Sequence, residues 1–270
     1  MPNCRLPAPS DDEHASASAC RVADLLLDIG TVLLVSGAHS GRVARNIERV
    51  AKAWGYGLEL FITFTGLMVS IKNEADPSER VARFRRTPLH GVHFGILTEA
   101  SLLTWRVVEE NLGIDEVEER WAEIRGMSHH PRWVVLAGVG AACACLCLLA
   151  GGDWSNAAVA LVASVSGMVV RQEVLKKSFN PMIAFILASF TTTLVAGLDM
   201  LHHFGGAPEK TLATAVLYLI PGVPLINCVI DLIEGHIPTA IARAVYGGFI
   251  LLCIAVGMSL GIVLLEIYNF

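Results

Sequence analysis

The residues best suited to chemistry lie in one apolar stretch, "LIPGVPLINCVIDLIEG", which covers positions 219–235. Asn227, Asp231 and Glu234 are four and three positions apart, so they share one face of a helix. An acid at membrane depth is costly and usually belongs to an ion, proton or substrate pathway. The spacing therefore predicts a transport site, with Glu234 close enough to the inner boundary to be interfacial instead.

Two prolines and a glycine precede these polar residues. Pro221 and Pro224 have no N–H to offer the carbonyls of Leu217 and Ile220, and Gly222 relaxes the backbone between them. Broken helices at membrane depth form transporter binding sites, because their N-termini suit anions and their unpaired carbonyls suit cations. We expect the break to expose both carbonyls and to aim the restarted helix at a bound carboxylate.

Roles for the remaining polar residues follow from their chemistry. In this hypothesis Asn227 hydrogen-bonds the substrate, and Asp231 carries a coupling proton or pairs with a substrate ammonium. Arg243 holds a carboxylate or balances Asp231. A proline kink used only for packing, with Asp231 paired to Arg243, is the alternative. Thr191 and Thr192 add hydroxyls to the pathway, and packing within their own helix is an equal alternative.

The elements that position these residues follow from the distribution of charge. The chain is 54% apolar with a mean hydropathy of +0.56, yet residues 1–131 contain 32 of its 45 charged side chains. This division predicts a disordered leader at 1–18, a polar domain at 19–131 and a membrane domain at 132–270.

The membrane domain contains five apolar segments. A transmembrane helix needs about 20 apolar residues, and each segment approaches that length. Basic residues follow the second and fourth segments, which places the front domain in the cytoplasm and the C-terminus outside. The predicted class is an α-helical polytopic membrane protein with one Pro-broken span; a soluble protein with buried helices is the alternative. The spans are predicted near 133–152, 154–170, 180–198, 211–234 and 240–265.

The front domain is predicted to be α+β. Its pattern indicates two helices with Ser40 as the N-cap of the second, a hairpin, an edge strand and two further helices. A net charge of −5 gives no electrostatic case for nucleic acid. The sequence has no nucleophile elbow, P-loop or HExxH pattern, and we predict neither a metal site nor a cofactor. A membrane-tethered hydrolase and a channel or scaffold remain alternatives to a transporter.

The stretch "PGVPLINCVIDLIEGHIPTAIAR" resembles the signature of the threonine/serine exporter family. "SGAHSGRVARNIERVAKAWG" and "FTGLMVSI" are similar to two further segments of that family. The chain departs from the family at Ala44, where an acid is common, and at Phe64, where a proline is common. The matching signature positions are Pro221, Gly222, Pro224, Asn227, Asp231, Gly235 and Arg243.

The resemblance implies an inner-membrane exporter that works by secondary transport. Because single-chain members carry a second membrane unit, this chain resembles the large subunit of the two-component, YjjP-like branch. That branch implies a small YjjB-like membrane partner in a higher oligomer, and dicarboxylates such as succinate as substrates. The residues themselves favour a hydroxy-amino acid such as threonine or serine, since Asp231 and Arg243 suit an ammonium and a carboxylate. For a dicarboxylate, Arg171 and Lys176 are candidate second contacts.

Overall fold

The computed structural model describes residues 11–76, 79–87, 91–128 and 130–267, with only the backbone for 11–18. Its ten helices and three strands, counted over those residues, are α1 (Asp11–Val35), α2 (Ser40–Ala53), β1 (Tyr56–Thr63), β2 (Gly66–Asn73), β3 (Arg80–Arg86), α3 (Phe94–Glu109), α4 (Ile114–Arg125), α5 (Arg132–Leu149), α6 (Trp154–Lys176), α7 (Pro181–His202), α8 (Pro208–Ala215), α9 (Gly222–Ile233) and α10 (Ile237–Leu264). A 3-10 turn at Leu217–Leu219 separates α8 from α9.

The chain divides into two compact units. The front unit comprises Met1–Ser128 and Val223–Ala244, and the helical unit comprises His129–Gly222 and Val245–Phe270. Most of α9 and the first turns of α10 therefore belong to the same unit as the polar N-terminal segment. Helix α1 begins at Asp11, inside the segment predicted as a leader, and residues 1–10 lie outside the described part of the chain.

The front unit contains the predicted hairpin and edge strand. The strands form an antiparallel sheet in the order β1-β2-β3, with Thr63 opposite Gly66 at the hairpin turn. Alternate residues of β2, namely Leu67, Val69 and Ile71, are fully buried, as the two-residue period of a strand requires. They pack with the apolar faces of α1 and α2 in one core, so the sheet and both helices form a firm base for the loop between α1 and α2.

Helix α2 begins one residue earlier than the sequence predicts. The N-cap is His39, whose side chain accepts the backbone N–H of Arg42, and Ser40 is the first helical residue. Its end agrees with the prediction, because Gly55 follows the last turn with a φ of 76°.

Four helices are long and apolar enough to cross a membrane: α5, α6, α7 and α10. The pair Pro208–Leu219 and Gly222–Ile233 passes the same test together, with a bend of 64° at the break, which gives a fifth span if it is counted as one. Four of the five predicted spans are therefore confirmed as apolar helices of sufficient length, the fifth only if the bent pair is counted as one span, and the small sheet is present. Helix α6 continues through Arg171 to Lys176, beyond the predicted end, because a charged side chain does not terminate a helix.

Small residues allow the helices of the helical unit to approach closely. A Cβ added at Gly257 of α10 would lie 1.9 Å from the Ser189 Oγ and 2.4 Å from the Ile186 carbonyl oxygen of α7. Ala160, Ala163 and Ala188 are also fully buried. In a lipid bilayer the hydrophobic effect does not drive helices together. Close backbone approach instead stabilises helix pairs through van der Waals packing.

Candidate functional site

The loop between α1 and α2 is held from both sides by backbone hydrogen bonds. The carbonyls of Val35 and Ser36 accept the N–H groups of Gly91 and His93, and Ala38 N–H donates to Leu33. Gly37 has a φ of 104°, which side chains rarely tolerate. The loop therefore presents its backbone groups in a fixed arrangement.

Asp231 of α9 binds the start of α2. Its Oδ1 accepts the backbone N–H of Ser40 at 2.7 Å, and its Oδ2 accepts the Ser40 hydroxyl at 3.1 Å. The carboxylate is fully buried. The first N–H groups of a helix carry partial positive charge, so a carboxylate at this position is stabilised by the helix dipole.

Arg243 of α10 neutralises the same carboxylate. Its Nε lies 3.0 Å from Asp231 Oδ2, and the two side chains are 3% and 0% exposed. The Nε–H is not aligned for a hydrogen bond, so this contact is an ion pair. The guanidinium is held by Nη2, which donates to the Ala38 carbonyl at 3.0 Å.

Asn227 and Glu234 bind the same loop on either side of Asp231. Asn227 Nδ2 donates to the Gly37 carbonyl at 2.8 Å. Glu234 Oε1 accepts from Arg45 at 2.9 Å, and its Oε2 lies 3.0 Å from His39 Nδ1. The predicted shared face of Asn227, Asp231 and Glu234 is therefore confirmed, and it faces the loop.

The contact between His39 and Glu234 depends on protonation. With Nδ1 unprotonated, the ring accepts the backbone N–H of Arg42 at 3.3 Å; with Nδ1 protonated, it donates to Glu234. One nitrogen cannot do both at once. The tautomer of His39 therefore decides whether the ring caps α2 or donates to Glu234.

The same cluster was tested for a cation site. One ligand atom each from His39, Asp231 and Glu234 lies within 4.8 Å of the others. However, the guanidinium groups of Arg45 and Arg243 already bind the two carboxylates. Their positive charges oppose a divalent ion at this distance. The two carboxylates are therefore engaged in ion pairs. The absence of a metal site stays a prediction.

The proline break does not expose the expected carbonyls. The Leu217 carbonyl accepts the Ile220 N–H at 3.1 Å, and the Ile220 carbonyl accepts the Gly222 N–H at 2.8 Å. That expectation was wrong because the chain tightens into a 3-10 turn before Pro221. Helix α9 begins at Gly222, so Pro224 lies in its first turn, where a missing N–H costs little.

The two predicted threonines lie in α7, in the helical unit. Thr191 Oγ donates to the Leu187 carbonyl at 2.9 Å, which is the packing role within its own helix. Thr192 Oγ bonds the Ala188 carbonyl at 2.8 Å and also lies 3.1 Å from the Tyr218 hydroxyl. Thr192 therefore also contacts Tyr218, a partner that the sequence did not indicate.

Sequence reasoning missed two sets of residues. Ser40 was interpreted only as a helix cap and His39 was assigned no site role, although they contact Asp231 and Glu234. The fully buried Asp199 was interpreted as the end of a span. Its carboxylate instead accepts from Asn156 Nδ2 at 2.7 Å and from the Thr211 hydroxyl at 2.6 Å. The family resemblance of "SGAHS" could have indicated Ser40 and His39. No sequence motif indicated the contacts of Asp199.

Comparisons with known proteins agree with this arrangement of motifs. The family model described as "Putative threonine/serine exporter" matches residues 24–265. The chain is 30% identical over 243 residues to the "Probable succinate transporter subunit YjjP" of Escherichia coli K12, covering 89% of this chain and 93% of that protein.

A second group of relatives is longer. The chain is 27% identical over 257 residues to the "Probable threonine/serine exporter" of Mycobacterium tuberculosis, covering 93% of this chain and 47% of that protein. No solved structure matches the chain. The residues matched by the family model include the loop and the helices that form the site. This chain is a multi-pass membrane protein that belongs to the threonine/serine exporter family.

Proposed function

We propose that the protein is one subunit of an inner-membrane exporter of small carboxylates or hydroxy-amino acids, driven by exchange with protons or another ion. The observation that carries the proposal is the buried ion pair between Asp231 and Arg243. Such a pair contributes little net stability compared with apolar packing, because both charges must be desolvated. A charge pair kept beside a broken helix is better explained by a moving proton or substrate.

The proposed cycle uses the protonation of Asp231. In the state described here, the carboxylate is shared between Arg243 and the N-terminus of α2. A proton on Asp231 removes its negative charge, which weakens both contacts and frees the guanidinium for a substrate carboxylate. Loss of the proton restores the pair and expels the substrate. Competition of the two carboxylates for one guanidinium thus couples the protonation of Asp231 to the binding of the anion.

The neighbouring residues have supporting roles in this proposal. Glu234 and His39 form a less buried proton-accepting pair one turn from Asp231, suited to proton entry. Asn227 offers an amide that can leave Gly37 to bond the substrate. The break at Pro221, Gly222 and Pro224 is the point about which α9 moves during alternating access.

A partner and an orientation complete the proposal. One face of α9 and the first turns of α10 is apolar and solvent-accessible, with Ile226 62%, Ile233 80% and Ile241 57% exposed. This surface suits lipid or the small membrane subunit implied by the word "subunit" in the relative's name. The basic residues place the front unit in the cytoplasm and the C-terminus outside. A reporter fused after Phe270 should behave as extracytoplasmic.

The test is export from a strain that lacks the chromosomal copy and expresses variants with its native partner. Excreted succinate, threonine and serine are measured together, so the substrate is identified in the same experiment. We expect Asp231→Asn to abolish export while the protein still inserts. Glu48→Gln, which removes an exposed carboxylate on α2, should export normally. Normal export by Asp231→Asn would exclude Asp231 as the coupling acid, and no excreted acid in the wild type would exclude the exporter.

A further inference from the structure

Arg171 of α6 is a partly buried cation without a carboxylate partner among the described residues. Its guanidinium carbon lies 4.8 Å from the centroid of the Phe185 ring, and Nη1 lies 4.0 Å from the Met168 sulfur. The Nε atom is inaccessible to solvent and has no hydrogen-bond acceptor. Within the described part of the chain, no carboxylate oxygen lies within 4.0 Å of an Arg171 nitrogen, the distance taken to define an ion pair.

Three other cations of the membrane segments are paired with carboxylates, and Lys210 of α8 donates to the Gly151 carbonyl at 3.0 Å. Arg132 contacts Glu173, which also lies 3.4 Å from Lys176, and Arg243 contacts Asp231. A guanidinium removed from water needs an anion or several acceptors to offset the loss of hydration. A sulfur atom and an aromatic face provide only part of that compensation. The site around Arg171 therefore lacks one anion.

Two hydroxyl groups lie against the same face of α6. A Cβ at Gly167, one turn before Arg171, would lie 2.0 Å from Thr192 Oγ and 2.4 Å from the Tyr218 hydroxyl. Residues four apart share a helix face, so the hydroxyl pair is one turn from the guanidinium. Tyr218 and Tyr246 are also close enough to interact electrostatically with Arg171.

The Tyr218 oxygen keeps a free lone pair whichever hydroxyl donates in its contact with Thr192. Thr192 Oγ lies 2.8 Å from the Ala188 carbonyl and 3.1 Å from the Tyr218 hydroxyl, and either hydroxyl can be the donor in the second contact. A phenol has one hydrogen and two lone pairs, so at least one lone pair stays available. That oxygen can accept from a hydroxyl, an ammonium or a protonated carboxyl group.

We infer that Arg171 and Tyr218 form a carboxylate-binding subsite of the helical unit, occupied by a small aliphatic acid. The guanidinium edge donates to the ligand carboxylate, since Phe185 covers its face and leaves its N–H groups in the plane. Tyr218 accepts from a second polar group of the same ligand. This inference rests on the proposed export of small acids and assigns their carboxylate a residue distinct from Arg243.

The test is equilibrium binding of radiolabelled succinate and L-threonine to the purified full-length protein in detergent. Arg171→Gln should weaken the binding of whichever acid the wild type binds by about tenfold or more, since it removes a charge-assisted hydrogen bond. Arg171→Lys should restore part of the affinity, and Tyr218→Phe should give a smaller loss. Lys177→Gln, which removes an exposed cation just beyond the same helix, is the matched control. Succinamide, which has no carboxylate, should not compete.

Several outcomes would overturn the inference. Unchanged affinity in Arg171→Gln would do so, as would equal loss in Lys177→Gln or failure of the wild type to bind either acid. Phosphatidylglycerol that co-purifies with the wild type and is lost in Arg171→Gln would instead assign the guanidinium to a lipid phosphate. Normal export by Arg171→Gln would refute the subsite and leave the exporter intact. Binding without export in the wild type would refute the exporter and leave the subsite intact.

Discussion

The carboxylate of Asp231 accepts the backbone N–H of Ser40 at 2.7 Å, although 191 positions separate the two residues. A residue of a broken membrane helix thus caps a helix of the polar domain. In the proposed cycle, a proton on Asp231 changes both the charge beside Arg243 and the cap of α2, which couples that proton to two helices.

The Asp231–Arg243 pair should show strong non-additivity. Asp231→Asn or Arg243→Gln alone leaves one buried charge unpaired, which costs about 3–5 kcal/mol of unfolding free energy. The double variant removes both charges, so it should be more stable than the sum of the single losses predicts. Denaturant unfolding of the four proteins in one detergent measures the coupling, and simple additivity would contradict the pairing.

Gly41→Ala should displace Glu234 without disturbing α2. An added Cβ would lie 1.9 Å from Glu234 Oε2, the end of a side chain that can turn away. We expect export to fall to the level of Glu234→Gln, with stability within about 0.5 kcal/mol of the wild type.

Gly91→Ala is the control for that substitution, because a Cβ at Gly91 has no atom within 4 Å. It should leave both export and stability unchanged. Wild-type export by Gly41→Ala together with reduced export by Glu234→Gln would show that Glu234 does not need its present position.

Gly257→Ala should destabilise the packing of α7 and α10. Its Cβ would meet backbone, with the Ile186 carbonyl oxygen at 2.4 Å and the Phe190 nitrogen at 3.1 Å, so the helices must separate. We expect a loss of about 1–3 kcal/mol, measured by denaturant unfolding in detergent.

Gly138→Ala offers a comparison in another membrane helix. A Cβ at Gly138 has no atom within 4 Å, so the change should be neutral or stabilise α5 by up to about 1 kcal/mol. Equal losses in Gly257→Ala and Gly138→Ala would contradict the close approach at Gly257.

Asp153 should contribute stability that depends on pH. The backbone N–H groups of Gly206 and Asn156 hold the pKa of this carboxyl below its ordinary value of 3.8. Because the folded pKa is the lower one, the contribution is complete above about pH 4 and is lost as the pH falls through the folded pKa. Asp153→Asn retains a helix cap but removes the charge. Its melting temperature should be below that of the wild type at pH 7, and the difference should shrink in acid; a constant difference would contradict this assignment.

The membrane spans were predictable because hydropathy is a local sum over consecutive residues. The shared face of Asn227, Asp231 and Glu234 was predictable for a similar reason, since the helical period fixes relative direction. The hairpin at β1 and β2 followed from alternation and a two-residue turn. In each case the deciding interaction lies within a few positions of chain.

The carbonyls near Pro221 show where local reasoning failed. A proline removes one hydrogen bond, but the chain can replace it by changing helix type, and the 3-10 turn did so. Helix ends were also misjudged at Arg171, because charge was interpreted as a boundary. That error matters, since it assigned the partly buried Arg171 to a polar link between spans.

The sequence by itself determined that this is a membrane protein with a polar front segment, a broken helix and an acid on one face of it. Only the tertiary structure decided what that acid touches and that, among the described residues, no carboxylate lies within ion-pair distance of Arg171. The physical reason is that ion pairs act over a few ångströms of space, whatever their separation along the chain. Asp231 finds Ser40 and Arg243 through the fold of the front unit, and Arg171 is left without a carboxylate by the packing of α6 against α7.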